Sequence, residues 1–71
     1  MEYYYLICTT NNEYSSSYKR ICKTYEEAVS LVSDFADWFC DNGCCDIVKV
    51  DNNFNRIKTY VFWKGSLVKV Y

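Results

Sequence analysis

Apolar and polar positions along this chain follow two rhythms. From Tyr25 onward, apolar residues recur at Tyr25, Ala28, Val29, Val32, Phe35, Ala36 and Phe39, the spacing of one helix face. At about 100° per residue, Leu31 and Trp38 border that face on one side and Cys40 on the other. The opposite arc holds Glu26, Glu27, Ser30, Ser33, Asp34, Asp37 and Asp41. Thr24-Tyr25-Glu26-Glu27 fits a capping box, in which the Thr24 hydroxyl accepts from the Glu27 amide and the Glu27 side chain reaches back. Gly43 then stands where a left-handed C-cap belongs, so a helix is predicted from Tyr25 to the Asp41-Asn42-Gly43 stop.

Elsewhere the rhythm is that of strands. "YYYLIC" (Tyr3–Cys8) is aromatic and β-branched and runs into Thr-Thr-Asn-Asn, which predicts a strand and a turn. "YKRICK" (Tyr18–Lys23), centred on Ile21, alternates weakly and predicts a second strand that can pair back on the first. After the helix come "CDIVKV", the turn "DNNFN", "RIKTYVFW", the dipeptide Lys64-Gly65 and "SLVKVY". Lys64-Gly65 suits a two-residue hairpin loop, because glycine tolerates positive φ. The predicted fold class is α+β: one α-helix packed on a four- or five-stranded antiparallel sheet. Its order is ββαβββ, or βαβββ if residues 18–23 form no strand. With 71 residues and no internal repeat, one compact domain over residues 1–71 is expected.

Strand alternation sorts the later strands into two faces. One carries Ile57, Thr59, Val61 and Trp63 with Val68, Val70, Val48 and Val50; this plain aliphatic face is expected to meet the helix. The other carries Arg56, Lys58, Tyr60, Phe62 and Lys64 with Leu67, Lys69, Tyr71, Ile47, Lys49 and Asp51. A single helix covers one side of a sheet, so the aromatic–lysine face is expected to be open. Lysine stems lying over tyrosine rings are ordinary on a soluble sheet. The same residues also suit a protein interface, where aromatics concentrate. Lys58, Tyr60, Phe62, Leu67, Lys69 and Tyr71 are therefore the predicted protein-binding residues.

Charge sharpens this picture. All 8 Lys and Arg lie outside the predicted helix, which carries acids and no base, and the net charge is −1. Glu26 and Glu27 suit the helix N-terminus, whereas Asp37 and Asp41 oppose the dipole at the other end. Glu27, Asp34, Asp37 and Asp41 thus form a candidate acidic face for a basic partner. Single-stranded nucleic acid, stacked on Tyr60 and Phe62, is the alternative use of the sheet; the net charge opposes it, since such binders show a basic field.

Cysteine is the remaining chemistry. "CDNGCC" (Cys40–Cys45) packs three of the 5 cysteines into six residues, and Cys8 and Cys22 stand apart. A structural zinc site wants a second knuckle or histidines, and the chain has no His. A zinc-binding mini-domain built on Cys40 and Cys44 is the further alternative, but core thiols at a helix-to-strand joint are expected, with no metal and no cofactor. With no C-x-x-C, no base beside the thiols and no Gly-rich phosphate loop, no catalytic set emerges, and the chain is expected not to be an enzyme.

The start "MEYYYLICTT" lacks a basic, then apolar, leader, and no apolar run reaches the ~20 residues of a membrane span. A cytoplasmic protein with reduced thiols and no membrane partner is expected. Abundant Asn, Lys and Tyr with scarce Ala and Pro fit an AT-rich genome and point to a low-GC bacterium, its phages or its plasmids. The element order is similar to that of some small phage-encoded anti-CRISPR inhibitors and of other mobile-element proteins. That resemblance is one of fold and carries no residues across. The function expected is a small non-enzymatic interaction protein, an inhibitor or adaptor, whose partner is protein, self or heterologous.

Overall fold

The structure, a computed structural model, describes residues 2–12, 15–35 and 44–71. β1 (Tyr3–Asn12) and β2 (Ser15–Cys22) form a hairpin, α1 (Tyr25–Asp34) follows, and β3 (Cys44–Asp51), β4 (Arg56–Trp63) and β5 (Ser66–Val70) complete an α+β fold. The five strands form one antiparallel sheet in the order β2-β1-β3-β4-β5. β2 and β3 flank β1 and so run parallel to each other; the chain between them crosses the sheet, and α1 touches β1, β2 and β3 on the way. The second strand forms and is longer than residues 18–23. Its pairing with β1 shifts register twice, after Ile7 and after Thr10, which explains why its alternation is faint in the sequence.

The helix begins as its sequence dictates. The Glu27 amide donates to Thr24 Oγ1 at 3.1 Å, and Thr24 itself is extended. It ends earlier than the apolar spacing suggests. Asp34 is its last residue, and Phe35 takes a non-helical conformation as its amide donates to the Leu31 carbonyl at 2.9 Å. No base stands in the last turn to meet the free carbonyls, and Asp34 there opposes the dipole. Phe35, expected on the buried arc, is exposed. The Ser33 hydroxyl donates to the Gly65 carbonyl at 3.2 Å, tying this end to the β4–β5 hairpin. The expected continuation through Ala36, Asp37, Trp38, Phe39, Cys40 and Asp41 to the Gly43 cap lies outside the described residues.

The face of the sheet that meets the helix is the reverse of the expected one. Ala28 and Val32 pack against Ile7, Cys22, Cys45, Ile47 and Phe62, with Tyr5, Tyr25, Val29, Leu31 and Tyr60 around them. The Tyr25 ring stands 4.6 Å from that of Tyr60 and 6.0 Å from that of Tyr5. Thus the aromatic side of β4, not its aliphatic side, is covered. The cause is volume: small helix residues such as Ala28 and Val32 leave room for bulky rings, and burying Phe62 and Tyr60 removes more apolar area than burying Val61. Leu6, Cys8, Val48 and Val50, with Tyr4 beside them, form a second cluster on the other side of the sheet.

Two of the three predicted turns hold; the turn expected at Thr-Thr-Asn-Asn does not, because Thr9–Asn12 continue β1 and pair with Ser15–Ser17 of β2. Lys64 and Gly65 both have positive φ, as a two-residue hairpin requires. In the β3–β4 turn Asp51 Oδ1 accepts from the amides of Asn53 and Asn55, each at 2.9 Å, and Asp51 Oδ2 accepts from Asn55 Nδ2 at 3.2 Å. Those amide bonds hold the Asp51 carboxyl below the usual carboxylate range. Among the described residues, no helix is long and apolar enough to cross a membrane.

Candidate functional site

The six side chains grouped by periodicity do not share a face. Phe62 is 2 % exposed and part of the helix-side core. Tyr60 packs on Tyr25, Lys58 Nζ stands 6.0 Å from the Tyr60 ring, and Leu67 pairs with Phe62, so these four lie on the helix side. Lys69 pairs with Val61, and Tyr71 exchanges backbone hydrogen bonds with Thr59, which puts both on the opposite side. A bulge between the two pairs separates them: Phe62 opposes Leu67 and Val61 opposes Lys69, leaving Val68 as the extra residue. Strict alternation cannot survive that step. Of the acidic set, Glu27 and Asp34 are exposed on α1, and Asp37 and Asp41 lie outside the described residues.

The face away from α1 holds the better-built surface. Leu6, Val48 and Val50 floor an open groove of about 570 Å³, with Ile21 and Phe54 at its walls and Arg56 at its end. Beside it Asp46, Arg56, Ile57, Lys58, Thr59, Val61 and Tyr71 line a second hollow, so Lys58, although its ammonium stands by Tyr60, also borders this face. Large apolar side chains stand out of this face: Ile21, Phe54, Ile57 and Trp63 are between 46 and 58 % exposed. Ile57 is there because β4 carries a bulge. Lys49 opposes Lys58 and Val50 opposes Arg56, so Ile57 is an extra residue. That bulge also moves Arg56 out of phase with Lys58 and onto this face.

Phe54 is the unusual member. It has φ of 62°, a region a bulky residue enters at a cost of about 1–2 kcal/mol, in a turn that would favour Gly or Asn. Its ring stacks on Tyr4, 6.1 Å between centroids and 17° between planes, while remaining more than half exposed. The turn thus holds an aromatic ring over the groove at the expense of its own backbone.

Asp46 and Arg56 interrupt the apolar surface at the hollow that Lys58 also lines, with Lys69 beside Val61. Asp46 is half-buried, and burial raises its pKa while Arg56 opposes the rise. Cys8, across the ladder from Asp46, is pushed to about 11 by burial first and by the Asp46 charge second. A thiol held so high is neutral at physiological pH and a poor nucleophile. Cys22, buried in the other core, is raised too, by burial and then Glu27. Cys45 shares that core, whereas Cys8 lies across the sheet, so Cys8 and Cys22 cannot converge on one ion. Cys44 is exposed, on the side of Asp46, and Cys40 lies outside the described residues. No three metal-ligating side chains gather among the described residues.

Sequence reasoning missed Ile21, Asp46, Phe54 and Ile57. Two signals were available: β1 is apolar on both faces, and an aromatic sits where "DNNFN" otherwise supplies only turn residues. Compared with known proteins, the chain matches no family model, no curated protein and no solved structure.

Proposed function

We propose that this chain is a non-enzymatic interaction protein and that its contact surface is the sheet face opposite α1. One observation carries the proposal: four large apolar side chains stand half out of a single face, two of them, Ile21 and the strained Phe54, walling an apolar groove and Ile57 lining the hollow beside it. Isolated exposed apolar residues need no explanation, but a contiguous set on one face marks an interaction site. Such a surface works by occupancy, which suits an inhibitor or adaptor. Nucleic acid fits it less well. The cations near this face are already engaged: Lys69 lies 4.6 Å over the Tyr71 ring, Lys64 5.7 Å from the Trp63 ring, Lys58 6.0 Å from the Tyr60 ring, and Arg56 acts on Asp46.

The test is to place a charge on the face. Ile21→Asp and Ile57→Asp should each leave the far-UV circular dichroism unchanged and Tm within about 4 °C, as surface substitutions do. At low micromolar concentration, the parent should bind anilinonaphthalene sulfonate and both variants should bind it severalfold less. If either substitution unfolds the chain, the face is interior and the proposal fails.

A further inference from the structure

We infer that both outer strands of the sheet are closed to strand addition, each by one residue inserted into its ladder, so that a partner is held by side chains of the face opposite α1 and not as a further strand. The inference rests on the contact surface proposed above and adds the way in which that surface engages its occupant.

An open sheet ends in two strands whose outward N–H and C=O groups can template another chain, and an exposed apolar edge invites it most. β5 is such an edge: its residues are all exposed, Leu67, Val68 and Val70 among them. β2 is the other. Recognition by an added strand is therefore the rival to recognition by a face.

The registers decide between the two. Tyr71 and Thr59 each donate to the other's carbonyl, so theirs is a hydrogen-bonded rung. Bonded and non-bonded rungs alternate along an antiparallel pair. Counting along β4, the Val61–Lys69 rung is bonded, whereas the Tyr60–Val70 and Phe62–Leu67 rungs are not. The backbone groups of Val70 and Leu67 therefore point outward. They stand three residues apart, because Val68 is inserted between the rungs of Val61 and Phe62. A regular strand presents its bonding residues at even spacing, so it can match one of them but not both.

β2 repeats the device. Along β1 its partners pass from Arg20, opposite Ile7, to Tyr18, opposite Cys8, with Lys19 inserted. Whichever of those rungs is bonded, the outward residues again fall three apart across the insertion. The central β1–β3 ladder, flanked by β2 and β4, runs from the Tyr3–Asp51 rung to the Cys8–Asp46 rung with no insertion. Regular pairing inside and a bulge on each outer strand leave the face, not the edge, open to a partner.

Hydrogen exchange on the full chain in reducing buffer, read amide by amide at about 1 and about 200 µM, tests this against a chain lacking Val68. That deletion keeps every β4–β5 partner and brings the outward residues to even spacing. In the parent the outward amides of Leu67 and Val70 should exchange fast at both concentrations, while the inward amide of Lys69 is protected. In the shortened chain the two outward amides should slow at least about tenfold at the higher concentration, as two β5 edges pair. Adding Val70→Pro, which removes an outward donor, should restore fast exchange at Leu67. Should the shortened chain leave Lys69 unprotected, and so not fold, a chain lacking Lys19 puts the same question to the outward amides of β2. Outward amides that become protected in the parent at the higher concentration overturn the inference. A folded deletion whose outward amides stay as fast as the parent's does so too. Either result leaves the contact surface to its own test with Ile57→Asp, because an occupant of the face makes no hydrogen bond to the edge; failure there with the edges found closed removes the surface alone.

Discussion

The two faces of this sheet are built from similar residues and put to opposite uses. On one, Ile7, Cys22, Ile47 and Phe62 disappear under Ala28 and Val32. On the other, Leu6, Val48 and Val50 are equally apolar, yet what surrounds them stands half in solvent. One side closes a core; the other has a buried floor and an exposed rim. Burial of the first stabilises the chain at about 1.5–3 kcal/mol for each large side chain. The rim of the second gains nothing comparable until something covers it. A sheet apolar on both sides with helix on one therefore separates what folds the chain from what the chain can hold.

That separation can be broken by substitution, and the largest effect belongs to the covered side. Phe62→Ala should cost about 3–5 kcal/mol in urea unfolding, enough to leave a chain of this size largely unfolded, whereas Ile57→Ala should cost under about 1 kcal/mol. Equal costs would mean that the faces are not distinct. Next comes the helix that makes them different. Thr24→Ala removes the N-cap acceptor and should cost about 1 kcal/mol, with increased amide exchange at Glu26 and Glu27.

The uncovered side should behave in the opposite sense. Phe54→Gly relieves the positive φ but loses the stack on Tyr4, effects of about 1–2 and about 0.5–1.5 kcal/mol respectively. Stability should change by less than about 1 kcal/mol, while association through the groove falls. Asp46→Asn gives the smallest shift and the most telling sign. With its pKa raised in the fold, Asp46 binds its proton more tightly folded than unfolded. Its charged form therefore costs stability near neutral pH, and the cost fades as pH falls through the carboxylate range. At concentrations too low for association, Asp46→Asn should raise Tm at pH 7 and lose that advantage at pH 3; a lower Tm at pH 7 would mean that the carboxylate is already satisfied within one chain.

How much of this was legible follows from which signals are local. The Thr24 cap, the Lys64-Gly65 turn and the three later strands are set by short-range chemistry, and the structure has them where the residues place them; β1 and β2 form but run on through the polar residues read as a turn, because pairing with each other satisfies their backbone. The α1 end was masked by apolar spacing that continues past Asp34 and says nothing of the uncompensated dipole. Which face meets the helix was illegible for a different reason. Alternation says which residues travel together, but β3 and β4 are apolar on both sides, and the choice is made by how bulky rings fit beside Ala28 and Val32. The candidate site suffered twice, because bulges at Ile57 and Val68 shift phase inside segments that look regular. Lys69 and Tyr71 do lie away from the helix, but the residues that alternation groups with them lie on the other side of the sheet.

The place of β1 in the sheet has a consequence for the order in which the molecule can assemble. Of the five strands it is made before the rest, yet its ladder with β3 matches Leu6 to Val48 and Tyr3 to Asp51, partners synthesised more than forty residues later. The hairpin with β2 can close locally and fast, but the central pairing must wait, and such non-local closure is slow. Until then Tyr-Tyr-Tyr-Leu-Ile-Cys remains a bare apolar strand edge of the kind that pairs with the wrong chain. Crowding during synthesis thus threatens this protein most through Tyr3–Cys8, and a rearranged chain with β3–β4–β5 placed ahead of β1 should emerge with that hazard removed.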